Sequence, residues 1–373
     1  MTGAKTLGIL FSNEGEKALG DLTLHRTPGA IPFGGRYRLV DFVLSGMVHA
    51  GIRNVGIVTQ SNYYSLMEHL GSGREWDLAR KIGGLTVLPP YVRTGADDFR
   101  SNLAALSGIM EYIRSGSAEY VLLSECGLIS AMDLKAVLAE HAKNGGGITV
   151  VYGRRGPGAS EGRRLSLSIA EDGRLCDAVP CSGPLTQEED VYLGTCVMDK
   201  ALLIRLVTDA AQHGLYSFDR DILQRQAAEG AVRCIRFDGY AEKISGLQSY
   251  YSVSMDLLDK AVRDELFSSA RPIYTKVRDE VPARFGLHAS VNNCLLADGC
   301  IIEGRVENSI IFRGVRIGAG AEVKNSIVMQ GAVIDANAEL DFVVADKDVL
   351  IRGGRRISGY RTYPVYIPKG TSI

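Results

Sequence analysis

Residues 31–52 read IPFGGRYRLVDFVLSGMVHAGI, and the first domain takes shape around them. Gly34 and Gly35 make a tight turn in which the backbone can approach a ligand or a neighbouring segment closely. Arg36 and Arg38 then place two cations on a short segment of alternating side chains, a pattern suited to phosphate. From Val40 the apolar residues Val40, Val43, Leu44, Met47 and Val48 recur at helical spacing, which predicts a helix from near Asp41 to Gly51. Val55 to Thr59 reads as a buried strand. Loop, helix and strand in this order belong to an α/β core, in which the two arginines could equally be solvated.

Together with Leu22, Thr23 and Arg26, the run PFGGRYRLVDFVLS at 32–45 resembles the signature of the glucose-1-phosphate adenylyltransferases, the ADP-glucose pyrophosphorylases of glycogen and starch synthesis. The resemblance extends more weakly over the whole chain. It implies an α/β fold with a Rossmann-like nucleotidyltransferase domain followed by a left-handed parallel β-helix. The implied division is a nucleotidyltransferase-like domain at 1–250, a linker helix and loop at 251–285, and a β-helix at 286–373.

Composition agrees with two soluble domains. The chain has 373 residues, more than one ordinary core accommodates. Its 42 basic and 43 acidic residues leave a net charge of −1, so nucleic acid is not expected as a main partner. The seven cysteines are odd in number and nowhere spaced as C-x-x-C, which fits a reducing cytoplasm. No apolar run approaches the roughly 20 residues that span a bilayer, and Leu7 to Phe11 is too short for a signal-peptide core.

Where the resembled family handles phosphate and metal, this chain departs from it. The glycine-rich G-G-x-G-x-R-L loop after the first strand, Thr6 to Phe11, falls on Asn13 to Leu19. It keeps one glycine, Gly15, has Ala18 in place of the arginine, and adds Glu14 and Glu16. Phosphate loops work because backbone N–H groups converge on the anion. A carboxylate about 5 Å from a phosphate charge, at an effective dielectric near 20, would instead cost about 3 kcal/mol. The lysine of R-A-K-P aligns with Pro28. Of the G-T-A-D-A-x-Y-Q-N motif only Ala96, Asp97 and Asn102 remain, in the run from Thr94. The strand from Tyr120 closes on Ser124, Glu125 and Cys126 where the family has G-D-H with a metal-binding aspartate. The second metal aspartate, in W-x-D-V-G, falls near Lys243. The E-K-P lysine is absent from Ala178 to Cys181, whereas Gly194 to Met198 and Phe218 to Ile222 resemble scaffold segments. Mg²⁺ demands near-ideal octahedral geometry, so the longer Glu125 is a poor substitute for aspartate, and an ammonium at 243 opposes a cation.

By the same resemblance, His25, Arg26 and Arg38 match positions that in bacterial relatives help hold a phosphorylated effector between the domains. Past the Pro-punctuated segment 271–285, Val315, Ala321, Ile327 and Val333 recur every six residues. Ile317, Val323 and Met329 follow two places on. These are read as inward-facing residues of a hexapeptide-repeat β-helix, with Asn308, Asn325, Gly314, Gly318, Gly320 and Gly331 at its corners. The basic run Arg352 to Arg361 is either a solvated edge or a second wall of the effector pocket.

The leading expectation is a regulatory, non-catalytic subunit of ADP-glucose pyrophosphorylase that binds no metal and needs no cofactor. It would pair with a catalytic subunit in a homo- or hetero-tetramer and take a phosphorylated small-molecule effector. A second is a weak nucleotidyltransferase making ADP-glucose and pyrophosphate with Mg²⁺ at Glu125. A third is a hexapeptide-repeat acyltransferase, for which His288 is the candidate base.

Overall fold

The computed structural model describes residues 2–13, 16–89, 102–157, 163–215 and 217–373. Glu14 and Gly15, and the run 94–101, lie outside them, so those sequence assignments have no structural counterpart here. The first domain is built on a nine-stranded sheet. At its centre the strand Thr6–Phe11, buried at every position, pairs in parallel with Asn54–Val58 on one side and Tyr120–Glu125 on the other. It reads as an unbroken apolar run because both its faces are covered. Gly8 permits one of those contacts: a Cβ there would lie 2.7 Å from Met47 Sδ on the covering helix. That helix, Leu39–His49, starts two residues earlier than predicted, where the Asp41 carboxylate accepts the Arg38 N–H at 2.9 Å.

Two helical stretches are each divided in two. One consists of Asn102–Gly108 and Met110–Arg114. The other, which opens the linker region, consists of Leu247–Asp256 and Lys260–Leu266, the second restarted by the Asp259 carboxylate accepting from Ala261 N at 2.8 Å.

Three five-stranded parallel sheets form the left-handed β-helix. Ile302 pairs with Ile317, Ile317 with Ile334 and Ile334 with Ile351 on one side of the solenoid, while Val306, Val323, Leu340 and Ile357 stack on the next. Ile317 and Val323 point inward as the hexad pattern requires. Ile327 and Met329 do not. On the third side it is Ile311, Val328 and Ala345 that fill the interior, whereas Ile310, Ile327, Met329 and Val344 face outward and pack on the first domain. Both faces of that sheet are buried, so its strands carry apolar residues in succession and the alternation that marks an inward side chain is lost.

The linker region fills the seam between the domains. Tyr250, Tyr251, Val253 and Leu257 join Phe33, Leu39 and Phe42 of the first domain and Ile310, Phe312 and Ile327 of the solenoid in one apolar core. The Tyr250 hydroxyl donates to Pro32 O at 2.8 Å and the Tyr251 hydroxyl to Asn325 O at 2.6 Å. Buried tyrosines with both ring and hydroxyl engaged fix the relative placement of the two domains.

Candidate functional site

Two places in the fold hold most of the described residues singled out in the sequence. The first lies at the carboxyl ends of the parallel strands, where open α/β sheets place their ligands. The strand Tyr120–Glu125 delivers Glu125 there, and Ala241–Lys243 delivers Lys243. The Lys243 ammonium sits 2.5 Å from Glu125 Oε2, with Glu125 only 9% exposed. Opposite them, Gly194 has φ +72° at a break in the register of its strand, and a Cβ on it would lie 3.0 Å from the Glu125 carboxyl. The extra methylene of glutamate is thus accommodated by a bare backbone, and the carboxylate is turned onto the lysine. Beside it the Ser124 and Thr195 hydroxyls hydrogen-bond at 2.8 Å.

The other altered positions that the structure describes are Pro28, Glu16 and Ala18. Pro28 is buried in a short turn, Pro28–Ala30, and the next residue, Gly29, packs on Cys126, whose thiol is pushed up by burial and by the neighbouring Glu125. Glu16 accepts from Asn13 Nδ2 at 2.9 Å and from Ser61 Oγ at 2.7 Å, so its carboxylate is tied into the loop. Ala18 is exposed. A divalent cation does not fit this donor set: of the two positions that should supply carboxylates, one supplies an ammonium already seated on the other.

The second cleft lies between the domains, and its near wall is the hairpin Pro32–Phe33 to Tyr37–Arg38, which turns at Gly34 and Gly35 with φ of +58° and +85°. The turn abuts the solenoid, since a Cβ on Gly35 would lie 3.8 Å from Ala297 Cβ and from Ile311 O. Arg36, Arg38, Lys276, Arg278, Arg313 and Lys347 converge on the cavity. Among the described residues Glu68 pairs with three of them, Arg38 at 3.8 Å, Lys276 at 3.2 Å and Arg278 at 3.1 Å. Arg38 is anchored on Ser65, donating to its carbonyl at 2.5 Å and its hydroxyl at 2.9 Å. Burial lowers its pKa to about 10, so it stays charged at neutral pH. Arg313 is 6% exposed, and its Nε has no hydrogen-bond partner among the described residues. Burial and the charges of Arg36 and Arg278 push its pKa down. Lys347 is brought down to about 8 by burial, with Arg38 and Arg26 adding repulsion. His69 also lines the cavity, held at 2.6 Å from Asp41 and packed edge-on against Trp76, the only tryptophan in the sequence.

His25, Arg26 and Arg38 are not gathered around one point. Arg38 lines the cavity, His25 is exposed, and Arg26 is buried against Asp346, its Nη2 bridging both carboxylate oxygens at 2.9 and 2.8 Å. The basic run Arg352 to Arg361 does not supply the opposite wall, because its four arginines are exposed at the far coil of the solenoid. Arg313 and Lys347 form that wall. A signal for them exists in the sequence, for Arg313, Gln330 and Lys347 are each seventeen positions apart and stack on one corner of successive coils. A six-residue reading does not reveal this coil length.

A mixed α/β domain joined through a shared core to a left-handed solenoid has the architecture of the nucleotidyltransferase fold with a hexapeptide-repeat extension. The comparisons agree: residues 9–160 match the nucleotidyl transferase family and 281–361 the GlmU-like C-terminal hexapeptide family. The chain is 36% identical over 371 residues to the glycogen biosynthesis protein GlgD of Bacillus subtilis, covering 99% of this chain and 97% of that protein. It is 35% identical to GlgD of Geobacillus stearothermophilus, over 86% of this chain and 83% of that one. To the glucose-1-phosphate adenylyltransferase of Thermotoga neapolitana it is 32% identical, over 84% of this chain and 75% of that enzyme. The chain belongs to the glucose-1-phosphate adenylyltransferase family and is of the GlgD-like type within it.

Proposed function

We propose that this protein acts in glycogen biosynthesis as a regulatory, non-catalytic subunit that modulates a catalytic adenylyltransferase partner in a homo- or hetero-tetramer. The observation that carries the reading is the 2.5 Å contact of Lys243 with Glu125. Phosphoryl and nucleotidyl transfer depend on cations that gain strength as charge develops between attacking and leaving oxygens. An ammonium neutralised by an adjacent carboxylate contributes little of this, and Pro28 contributes no donor at all. In support of the regulatory half, six cations converge on the interdomain cavity where Glu68 pairs with three of them, and the buried Arg313 Nε has no hydrogen-bond partner among the described residues, as a phosphorylated effector would require.

The test is turnover of the purified, partner-free chain with ATP, glucose 1-phosphate and excess Mg²⁺. Losing two independent stabilising groups, each worth roughly 2–4 kcal/mol, places the rate about 10³-fold or more below a catalytic relative. A rate within about tenfold of such a relative would overturn the reading in favour of the weak enzyme.

A further inference from the structure

Among the described residues the Arg26–Asp346 contact is the one place where a cation of the first domain and a carboxylate of the solenoid meet buried, with 4% and 2% of their side chains exposed. Besides Arg26, the Asp346 carboxylate accepts from Lys347 N at 2.7 Å and from the Tyr366 hydroxyl at 2.6 Å. Arg26 Nη1 points to Met329 Sδ at 4.0 Å. Four donated hydrogen bonds are what a bound oxyanion would receive, and a guanidinium engages carboxylate and phosphate in the same way. The next residue, Lys347, turns its side chain into the cationic cavity beside Arg38. Filled seat and open cavity are therefore neighbours, separated by one backbone step.

We propose that Asp346 is a built-in anion: its carboxylate permanently occupies the seat on Arg26 that a free phosphate group would otherwise take, and holds the solenoid closed on the first domain without a ligand. Only the Arg38 side of the cleft is then left open to an effector. The clamp rests on the regulatory reading solely in treating that open side as an effector site.

Asp346→Asn keeps the shape and removes the charge, leaving Arg26 buried without a counter-ion. Its melting temperature should fall by about 5 °C or more. Inorganic phosphate should restore it, by more than phosphate raises the wild type and more than sodium chloride does at equal ionic strength. Arg26→Gln leaves the carboxylate unpaired and should lose stability with no extra recovery in phosphate. The double variant should respond to phosphate as the wild type does. Should Asp346→Asn be insoluble in chloride buffer, refolding in phosphate should yield folded protein. A phosphate response no greater than wild type, equal recovery of Arg26→Gln, or failure to refold in either buffer overturns the clamp. A wild-type chain that shows no phosphate response removes the effector reading and leaves the clamp standing.

Discussion

The two clefts treat charge in opposite ways. At the strand ends the Glu125 carboxylate faces an ammonium from its own chain, while between the domains six cations converge on a cavity where Glu68 answers three of them. On the proposed function only the second attracts phosphate. A site whose charges are matched internally has little left for a ligand. One whose cations crowd and repel gains stability when an anion arrives. The proposed function therefore puts binding capacity at the seam between the domains and not at the strand ends.

The largest effect that could break this contrast comes from Lys243. Lys243→Met would take the ammonium from the nearly buried Glu125 carboxylate; because Lys243 is itself a third exposed, the cost should be about 2 kcal/mol, below that of a fully buried pair. Lys243→Asp would set two carboxylates together, and Mg²⁺ should then raise the melting temperature of that variant and not of the wild type. Equal Mg²⁺ shifts for both would mean that the wild-type cleft already takes the metal. Next in size, Arg38→Ala should weaken binding of a hexose phosphate about tenfold, since a charge-assisted hydrogen bond contributes roughly 1.5–3 kcal/mol. Trp76 fluorescence, read through His69, offers the titration signal. An unchanged affinity would mean that Arg38 serves packing alone.

The smallest effect is a pH dependence. Burial lowers Lys347 to about 8, so its charge is present at pH 7 and largely gone by pH 9, and anion affinity should drop a few-fold across that interval. Stability of the unliganded chain moves the other way. Between about 8 and the ordinary lysine value the unfolded chain holds a proton that the folded one has lost, so this group's contribution rises with pH. Lys347→Met should flatten both trends. Titrations of the two proteins that run parallel would assign the pH dependence elsewhere.

Much of this was legible in the sequence, for reasons that differ by region. The strand Thr6–Phe11 and the helix at 39–49 were readable because their apolar spacing reflects a local, one-sided or two-sided burial. The solenoid was readable from its hexads, yet Ile327 and Met329 were assigned to the wrong side, because the first domain covers that sheet from outside and no local pattern carries that information. Glu125 and Lys243 could be named one at a time from motif departures. Their meeting is a fact of tertiary structure, across 118 positions of chain. Arg26 shows the converse: the residue was found, but its partner Asp346 lies in the other domain and has taken the place expected for a ligand.

The contrast between the clefts is tested most directly by assaying a catalytic adenylyltransferase subunit mixed with this chain in two altered forms. One is Glu125→Gln with Lys243→Gln, which neutralises the strand-end pair while keeping its size; the other is Arg38→Ala. If the strand-end cleft is catalytically silent, the first mixture should keep the wild-type turnover to within about twofold and respond normally to effector, while the second should keep its unstimulated rate and lose activation. A fall of about tenfold in turnover on neutralising Glu125 and Lys243, with regulation untouched by Arg38→Ala, would contradict the account.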